Sequence, residues 1–335
     1  MNQADLVAAV LWLGVTIYAV LGGADFGAGL WDLLAGDARR GEAPRDLIDA
    51  SIGPVWEANH TWLIFDLVIL WSAFPLAFAS VMSTLFVPLT LAAFGIILRG
   101  SGFAFRKSTQ RLAGRRVFGA TFALSSVITP FFLGTALGAI ASGRVPAGNA
   151  AGDPWLSWLN PTSLLVGALA IAAGAFVAAV FLVSAARRSQ DQELERYFRV
   201  RALAMGIVAG GLSIAGLVVL RADASNLYAG LTGRALPLVA ASVVFGTASL
   251  VLLARGTARG IRICAAAAVT AIVWAWGVAQ LPAILPGSLT IDAAAAPAGT
   301  LDALIVISIA AAVTIGPSLA ILFVLYGRSR LEASH

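Results

Sequence analysis

The sequence has few of the side chains that bind redox cofactors. Its 335 residues include one cysteine, two histidines and three methionines. A single cysteine excludes an internal disulfide, a cysteine-ligated iron–sulfur cluster and a C-x-x-C-H haem attachment. Cys264 lies in an apolar run, and we interpret it as a small packing residue. Because one of the two histidines is the C-terminal His335, facing helices cannot supply a bis-histidine haem site.

Charge is also scarce, and apolar residues dominate. Charged residues make up 12% of the chain and hydrophobic residues 59%, with a mean hydropathy of +0.90. Soluble domains carry about 25% charged residues, so these values predict an integral membrane protein. The net charge of +5 does not indicate a nucleic-acid partner, because the basic residues occupy short gaps between apolar runs and form no basic domain.

Nine apolar runs are near the length of roughly 20 residues that an α-helix needs to cross the hydrocarbon core. The sequence therefore predicts an all-α integral membrane protein with nine transmembrane helices. The predicted spans cover residues 6–25, 53–74, 77–98, 117–141, 162–186, 202–220, 236–254, 261–284 and 303–326. The first run has no basic segment before it and no convincing cleavage site after it, so we expect a mature helix and not a signal peptide.

The basic residues alternate between the loops in a way that predicts the orientation. Loops 1–2, 3–4, 5–6 and 7–8 and the C-terminus hold 19 of the 22 lysines and arginines, and the other side holds three. Positive charge is retained on the cytoplasmic side, so we expect the N-terminus outside and the C-terminus inside. The longest loops, residues 26–52, 142–161 and 285–302, show no apolar pattern of an independent core.

Ionisable residues inside the predicted spans are concentrated in the first hundred residues. A charge at the bilayer centre costs about 2.5 to 3.5 kcal/mol on the insertion scale, so such residues indicate function. Asp25 ends the first span, while Glu57 and His60 lie one turn apart near the cytoplasmic end of the second. Carboxylates and an imidazole in series can pass protons inward, which predicts a proton path. The alternative, that Glu57 and His60 only hydrogen-bond to one another and to a neighbouring helix, stays open.

Three further residues of this region are candidates with open alternatives. Asp66 lies on the opposite face of the second span from Glu57 and nearer the membrane centre. It is either a fourth member of the proton path, a structural hydrogen-bonding group or a contact with a partner subunit. Arg99 ends the third span, where it either snorkels to the interface or contacts a partner carboxylate or haem propionate. Trp62 is either an interfacial tryptophan or a residue with a special role.

The glycine-rich run at residues 22–29, GGADFGAG, does not predict a nucleotide site, because it follows no strand and has no Walker lysine. We expect its small residues to let the inner end of the first span approach another helix and break near Asp25. A haem held by His60 and one methionine would lie one turn from Glu57 near the inner surface. We therefore predict that this chain itself binds no haem and no metal ion.

Two motifs of the first hundred residues resemble a known family. The run at residues 22–29, together with GPVWEANHTWLI at residues 53–64, closely resembles subunit II of the cytochrome bd-type quinol oxidases. Residues 280–297, before the last span, and residues 159–161, before the fifth, are similar to the same family. The nine-span layout covers the full chain, and its short length resembles the cyanide-insensitive branch.

The resemblance implies both an architecture and a partner. It implies two four-helix bundles, at residues 1–141 and 162–286, separated by an extracytoplasmic loop at residues 142–161. Residues 287–335 would hold a second extracytoplasmic loop, a peripheral ninth helix and a cytoplasmic tail. It also implies a heterodimer in the bacterial inner membrane with a subunit I that holds haems b and d and the quinol site. This respiratory complex would transfer electrons from quinol to oxygen, forming water, and our chain alone would be neither catalytic nor cofactor-bound. A structural quinone or lipid and small accessory subunits are left open.

The resemblance also implies roles for individual residues. The acidic residues matching Asp25 and Glu57 belong to a cytoplasmic proton path toward the oxygen-reducing haems, and the tryptophan matching Trp62 belongs to an oxygen route. Many members have a second acidic residue three positions before Asp25, where this chain has Gly22, so we expect a different entrance to the path. Two functions of other classes compete: a secondary transporter with its site between the first two spans, and a scaffold whose acids only make packing hydrogen bonds.

Overall fold

A computed structural model describes residues 2–36, 40–52, 56–108, 112–257 and 259–332. Side chains in these ranges are described except those of residues 52, 56–57, 103–104, 106–108, 112–118, 123, 319–320 and 322–332. The helices of the first part are α1 (Gln3–Ile17), a π-helical turn (Tyr18–Gly22), α2 (Gly23–Leu33), α3 (Glu42–Ile52), α4 (Trp56–Ala73), α5 (Pro75–Thr84), α6 (Phe86–Ser108) and α7 (Leu112–Ala141). The second part comprises α8 (Pro161–Arg188), α9 (Gln192–Asp223), α10 (Ser225–Thr232), α11 (Leu236–Ala254), α12 (Ile261–Gln280), an antiparallel pair β1 (Ala283–Leu285) and β2 (Leu289–Thr290), α13 (Ile291–Ala294) and α14 (Ala298–Glu332).

The described part of the chain is mostly helical and rich in membrane-spanning candidates. Seven helices there are long and apolar enough to cross a membrane, or eight if α4 and α5, bent by 120°, form one broken span. A shorter apolar helix, Phe86–Gly102, lies within α6. The prediction of an all-α membrane protein is confirmed in this coarse form. Nine spans, two four-helix bundles and the outward N-terminus stay predictions.

The helices differ from the prediction at two of the predicted spans. The first does not break near Asp25, because α1, the π turn and α2 form one helical segment from Gln3 to Leu33, and α3 occupies much of the predicted loop that follows. The third, predicted at residues 77–98, is divided at Leu85 between α5 and α6. Pro75 and Pro88 each lie in the first turn of a helix, where the missing N–H group breaks no intrahelical bond.

Helix α8 lies at the centre of the fold. The most apolar window of α8 is 61% buried, against 11% for α9 and α11, so the latter two present most of their surface to lipid or to a partner. A hydrophobic cluster joins α2 and α8 to α9 and α12, with Ala28, Val177, Phe198 and Ile261 among its members. This cluster crosses the predicted division between residues 1–141 and 162–286, and that division stays a prediction.

Side-chain caps define where α8 and α9 begin. The side chain of Asn160 accepts a hydrogen bond from the backbone N–H of Ser163, and Pro161 follows it as the first helical residue. Asp191 accepts from the N–H of Leu194 in the same way. These contacts satisfy N–H groups that a helix leaves without an intrahelical partner, so the two long central helices start at defined residues.

Asp223 connects the ends of three helices. Its carboxylate accepts a hydrogen bond from Arg144 Nη2 at 2.6 Å. It accepts another, also at 2.6 Å, from the hydroxyl of Thr162, which lies in the first turn of α8.

We expect Asp223→Asn to lower the free energy of unfolding by about 1.5 to 3 kcal/mol, the usual contribution of a hydrogen bond to a charged group. Thermal unfolding in detergent measures the effect. Asp302→Asn, which weakens an exposed contact with Gln3, is the control, and equal shifts in the two variants would contradict the connecting role.

Candidate functional site

A buried ion pair between Asp25 and Arg99 lies at the centre of the polar cluster. Arg99 is 0% exposed and Asp25 2% exposed. Arg99 Nη2 donates to Asp25 Oδ1 at 2.7 Å and to the backbone oxygen of Asp25 at 2.9 Å. Burying two charges is unfavourable unless they are paired and hydrogen-bonded, and these contacts meet that requirement. The pair therefore joins α2 to α6 inside the protein.

Three further side chains contact the guanidinium group of Arg99, although its Nε has no hydrogen-bond partner among the described residues. Arg99 Nη1 donates to the hydroxyl of Ser126 on α7, which in turn donates to the backbone oxygen of Phe122 at 2.7 Å. The guanidinium group lies 4.3 Å from the ring centroid of Phe122 and 5.0 Å from that of Phe26. Such cation–π contacts add to the attraction in a water-poor site. Asp25 Oδ2 is buried and has no hydrogen-bond partner among the described residues.

Small residues bring α2 against α8. A Cβ atom added to Gly27 would lie 2.2 Å from the backbone oxygen of Gly174, so only glycine permits this approach. The indole N–H of Trp31 donates to the backbone oxygen of Ala175 at 2.8 Å and holds the same contact. The predicted close approach of the glycine-rich run to another helix is confirmed.

Gly27→Ala should destabilise the protein through this contact. Overpacking a close helix contact costs about 1 to 3 kcal/mol, and the clashing atoms belong to the backbone of α8, which cannot rotate away. We expect a lower thermal unfolding midpoint in detergent. Gly210→Ala on α9 is the matched control, because nothing lies within 4 Å of its added Cβ. A Gly27→Ala midpoint as high as that of the control would contradict the packing argument.

The π-helical turn creates a second polar contact between the first helical segment and α4. The side-chain amide of Asn59 donates to the backbone oxygen of Leu21 at 3.4 Å. The ring of His60 lies edge-on to Phe26 and Tyr18, at centroid distances of 5.9 and 6.4 Å. π-helical turns are rare and occur frequently at functional sites. This turn places Tyr18 and His60 beside each other inside the cluster.

Asp66 is buried further along α4. It is 8% exposed, and Oδ1 has no hydrogen-bond partner among the described residues. A Cβ added to Gly14 would lie 2.0 Å from Asp66 Oδ1, so the carboxyl group lies directly against the backbone of α1. Asp66 therefore faces α1 of the same chain, and its role in a proton path, in a structural hydrogen bond or in a partner contact stays a prediction.

The remaining predicted residues are placed less completely. Glu57 belongs to the first turn of α4, one turn before His60, but its side chain lies outside the described part of the structure. Trp62 is half-buried, and its indole lies edge-on to Phe65 at 6.1 Å. The cluster therefore unites Asp25, Arg99 and His60 around α2, with Asp66 farther along α4.

The structure pairs Arg99 with Asp25 of the same chain and buries its side chain completely, which does not fit snorkelling. A contact of Arg99 with a partner subunit or a haem propionate stays a prediction. Sequence reasoning also missed Ser126, Asn59 and Tyr18. The hydroxyls of α7 and the amide next to His60 were visible signals, because polar groups within apolar helices need partners.

The cluster brings together groups that can bind and release protons. Two buried carboxyl groups, an imidazole and a phenol lie along the first helical segment and α4. No three His, Cys, Asp or Glu side chains converge as a metal site within the described ranges.

Comparisons with solved structures identify a fold relative. The chain superposes on a chain of the structure of bd oxidase from Geobacillus thermodenitrificans with a TM-score of 0.77. The match covers 97% of this chain and 99% of that chain at 25% sequence identity. The fold of this protein is therefore that of a bd oxidase chain along nearly its full length.

Sequence relatives point to the same family. Cytochrome bd ubiquinol oxidase subunit 2 of Bacillus subtilis is 31% identical over 129 residues, which is 38% of this chain and 36% of that protein. Cytochrome bd-I ubiquinol oxidase subunit 2 of Escherichia coli K12 is 28% identical over 177 residues, 50% of this chain and 44% of that protein. The alignments thus span less than half of these two relatives. The family model of cytochrome bd terminal oxidase subunit II matches residues 3–326. The resemblance found in the sequence is confirmed, and the chain is a multi-pass membrane protein that belongs to the cytochrome bd terminal oxidase subunit II family.

Proposed function

We propose that this chain is the haem-free subunit of a membrane quinol:oxygen oxidoreductase. It pairs with a haem-bearing subunit I, which holds haems b and d and oxidises the quinol. The match of the family model to residues 3–326 carries this proposal. The scarcity of haem-ligating side chains, with one cysteine, two histidines and three methionines in the whole sequence, supports placing the haems in the partner.

The polar cluster conducts protons from the cytoplasm toward the partner's haems. Asp25, Glu57, His60 and Asp66 form the path, with Glu57 at the start of α4 and Asp66 deepest along it. Burial of Asp25 and Asp66 supports this role, because carboxyl groups within a membrane commonly serve as proton relays. Arg99 holds Asp25 in place, and Trp62 lies on an oxygen route.

The proposed architecture follows the charge bias and the family. Nine spans place the N-terminus outside and the C-terminus in the cytoplasm of a bacterium, with the complex in the inner membrane. Residues 1–141 and 162–286 form two four-helix bundles, residues 142–161 an external loop, and residues 287–335 a second loop, a peripheral helix and a tail. Membrane lipid contacts the exposed helix faces.

Separation of the subunits tests the proposal. The complex is extracted in mild detergent, its companion polypeptide is identified by mass, and the two chains are then separated. We expect all haem absorption to remain with the companion and quinol-dependent oxygen uptake to require both chains. Haem absorption that stays with this polypeptide, or the absence of any haem-bearing companion, would contradict it.

A further inference from the structure

One face of the first helical segment presents three residues at intervals of four. Gly14 and Tyr18 lie one α-helical turn apart, and Gly22, at the end of the π-helical turn, lies against the ring of Tyr18. Asp66 lies against Gly14 at one end of this face. Asp25, paired with Arg99, follows Gly22 at the other end. Tyr18 thus occupies the middle of a line that joins two buried carboxyl groups.

Glycine at position 22 makes room for the ring of Tyr18. A Cβ added to Gly22 would lie 2.8 Å from two carbons of that ring. The π-helical turn begins at Tyr18 and contributes to the placement of the ring beside His60. The ring of Tyr18 lies 6.4 Å from that of His60, which lies 5.9 Å from the ring of Phe26, the neighbour of Asp25 in the chain.

The hydroxyl of Tyr18 is not explained by packing. It is buried, and it has no hydrogen-bond partner among the described residues. A phenylalanine would fill the same space without a buried polar atom, which costs about 1 to 3 kcal/mol when it is unsatisfied. Buried hydroxyls of this kind are normally satisfied by water, and Asp25 Oδ2 and Asp66 Oδ1, at the two ends of the line, are buried acceptors that such waters would also satisfy.

We propose that the Tyr18 hydroxyl relays protons, through bridging water, between Asp25 and Asp66. A phenolic hydroxyl is both donor and acceptor, so it receives a proton on an oxygen lone pair from one side and releases its own proton to the other. One O–H bond forms as another breaks, and the residue carries no net charge before or after the transfer. Neither an oxidant nor a reductant takes part. Tyr18 thereby becomes a fifth group in the proton path, and this inference rests on the proposed function.

Tyr18→Phe in the complete complex tests the relay. We expect normal assembly and haem content, because the ring is kept. Quinol-dependent oxygen uptake should fall roughly tenfold. This loss is smaller than the loss expected when a proton-transfer group is removed completely, because water can replace part of the path in the variant. The solvent deuterium isotope effect on turnover should rise. Tyr197→Phe is the matched control: its hydroxyl is also buried without a partner, but its ring lies against Arg201 on α9, and both readouts should stay at wild-type values.

The outcomes separate this inference from the proposed function. Wild-type turnover and isotope effect in Tyr18→Phe, alongside a slow Glu57→Gln variant, would overturn the relay alone. Slower turnover with an unchanged isotope effect would show that Tyr18 only packs against its neighbours, and this result would also overturn the relay. If both Tyr18→Phe and Glu57→Gln turn over normally, the proton path itself is wrong. Gly22→Ala, which must displace the ring, is a second variant and should reproduce both the slower turnover and the larger isotope effect.

Discussion

Arg99→Met should lower the free energy of unfolding by about 3 to 5 kcal/mol, as expected when one partner of a buried ion pair is removed. The reason is that Asp25, at 2% exposure, would remain as an unpaired buried charge. The loss also removes the contact to Ser126, so α2, α6 and α7 would no longer be joined by hydrogen bonds at this point. The thermal unfolding midpoint of the detergent-extracted complex and the amount of chain recovered from membranes measure the effect.

Two further variants serve as controls for this loss. Arg99→Met combined with Asp25→Leu removes both charges and should recover most of the stability, because apolar replacement of a buried pair is often neutral. Arg99→Lys keeps the charge but loses the planar group that contacts Asp25 and Ser126 together, so it should be intermediate. If Arg99→Met were as stable as the wild type, the pair would not hold these helices together.

Glu57→Gln should reduce oxygen uptake by about a hundredfold, the low end of the effect of a positioned proton-transfer group. Glutamine keeps the size of the side chain but cannot take up and release a proton at neutral pH, so assembly and haem content should be preserved. Uptake with excess quinol, normalised to haem, measures the effect. Glu193→Gln, at an exposed position of α9, is the matched control and should be unchanged.

A scaffold function predicts a different result for the same variants. If Asp25 and Glu57 only made packing hydrogen bonds, Glu57→Gln and the double variant Asp25→Asn, Glu57→Gln would turn over normally once assembled. A loss of turnover in the single variant, with haem content and thermal midpoint unchanged, separates proton transfer from packing.

Much of the fold and part of the site could be predicted from the sequence because membrane burial leaves a simple pattern. Apolar runs predict helices that cross the bilayer, and rare ionisable residues such as Asp25 and Asp66 mark where protein or water must replace lipid. The glycines around Asp25 predicted a close helix contact, which the structure places against Gly174.

Long-range pairing was beyond the sequence. Asp25 and Arg99 are 74 residues apart, and hydropathy reports that a residue is within a helix but not which helix its side chain meets. Arg99 was therefore expected at an interface, although three helices enclose it. The π-helical turn has no proline or other breaker in its sequence, so it could not be predicted from the residue pattern. The bend between α4 and α5 falls at Pro75, where the predicted spans also separate, but the sequence does not give its angle of 120°.

Proton uptake during a single turnover is the most direct test of the central claim. The complex is reconstituted in vesicles with its cytoplasmic face toward a trapped pH dye, and reduction of oxygen is started by a rapid oxygen pulse. The account predicts uptake from the cytoplasmic side in step with haem oxidation in the wild type, and slow uptake that delays haem oxidation in Glu57→Gln. Uptake at the wild-type rate in that variant, or uptake from the opposite face, would contradict it.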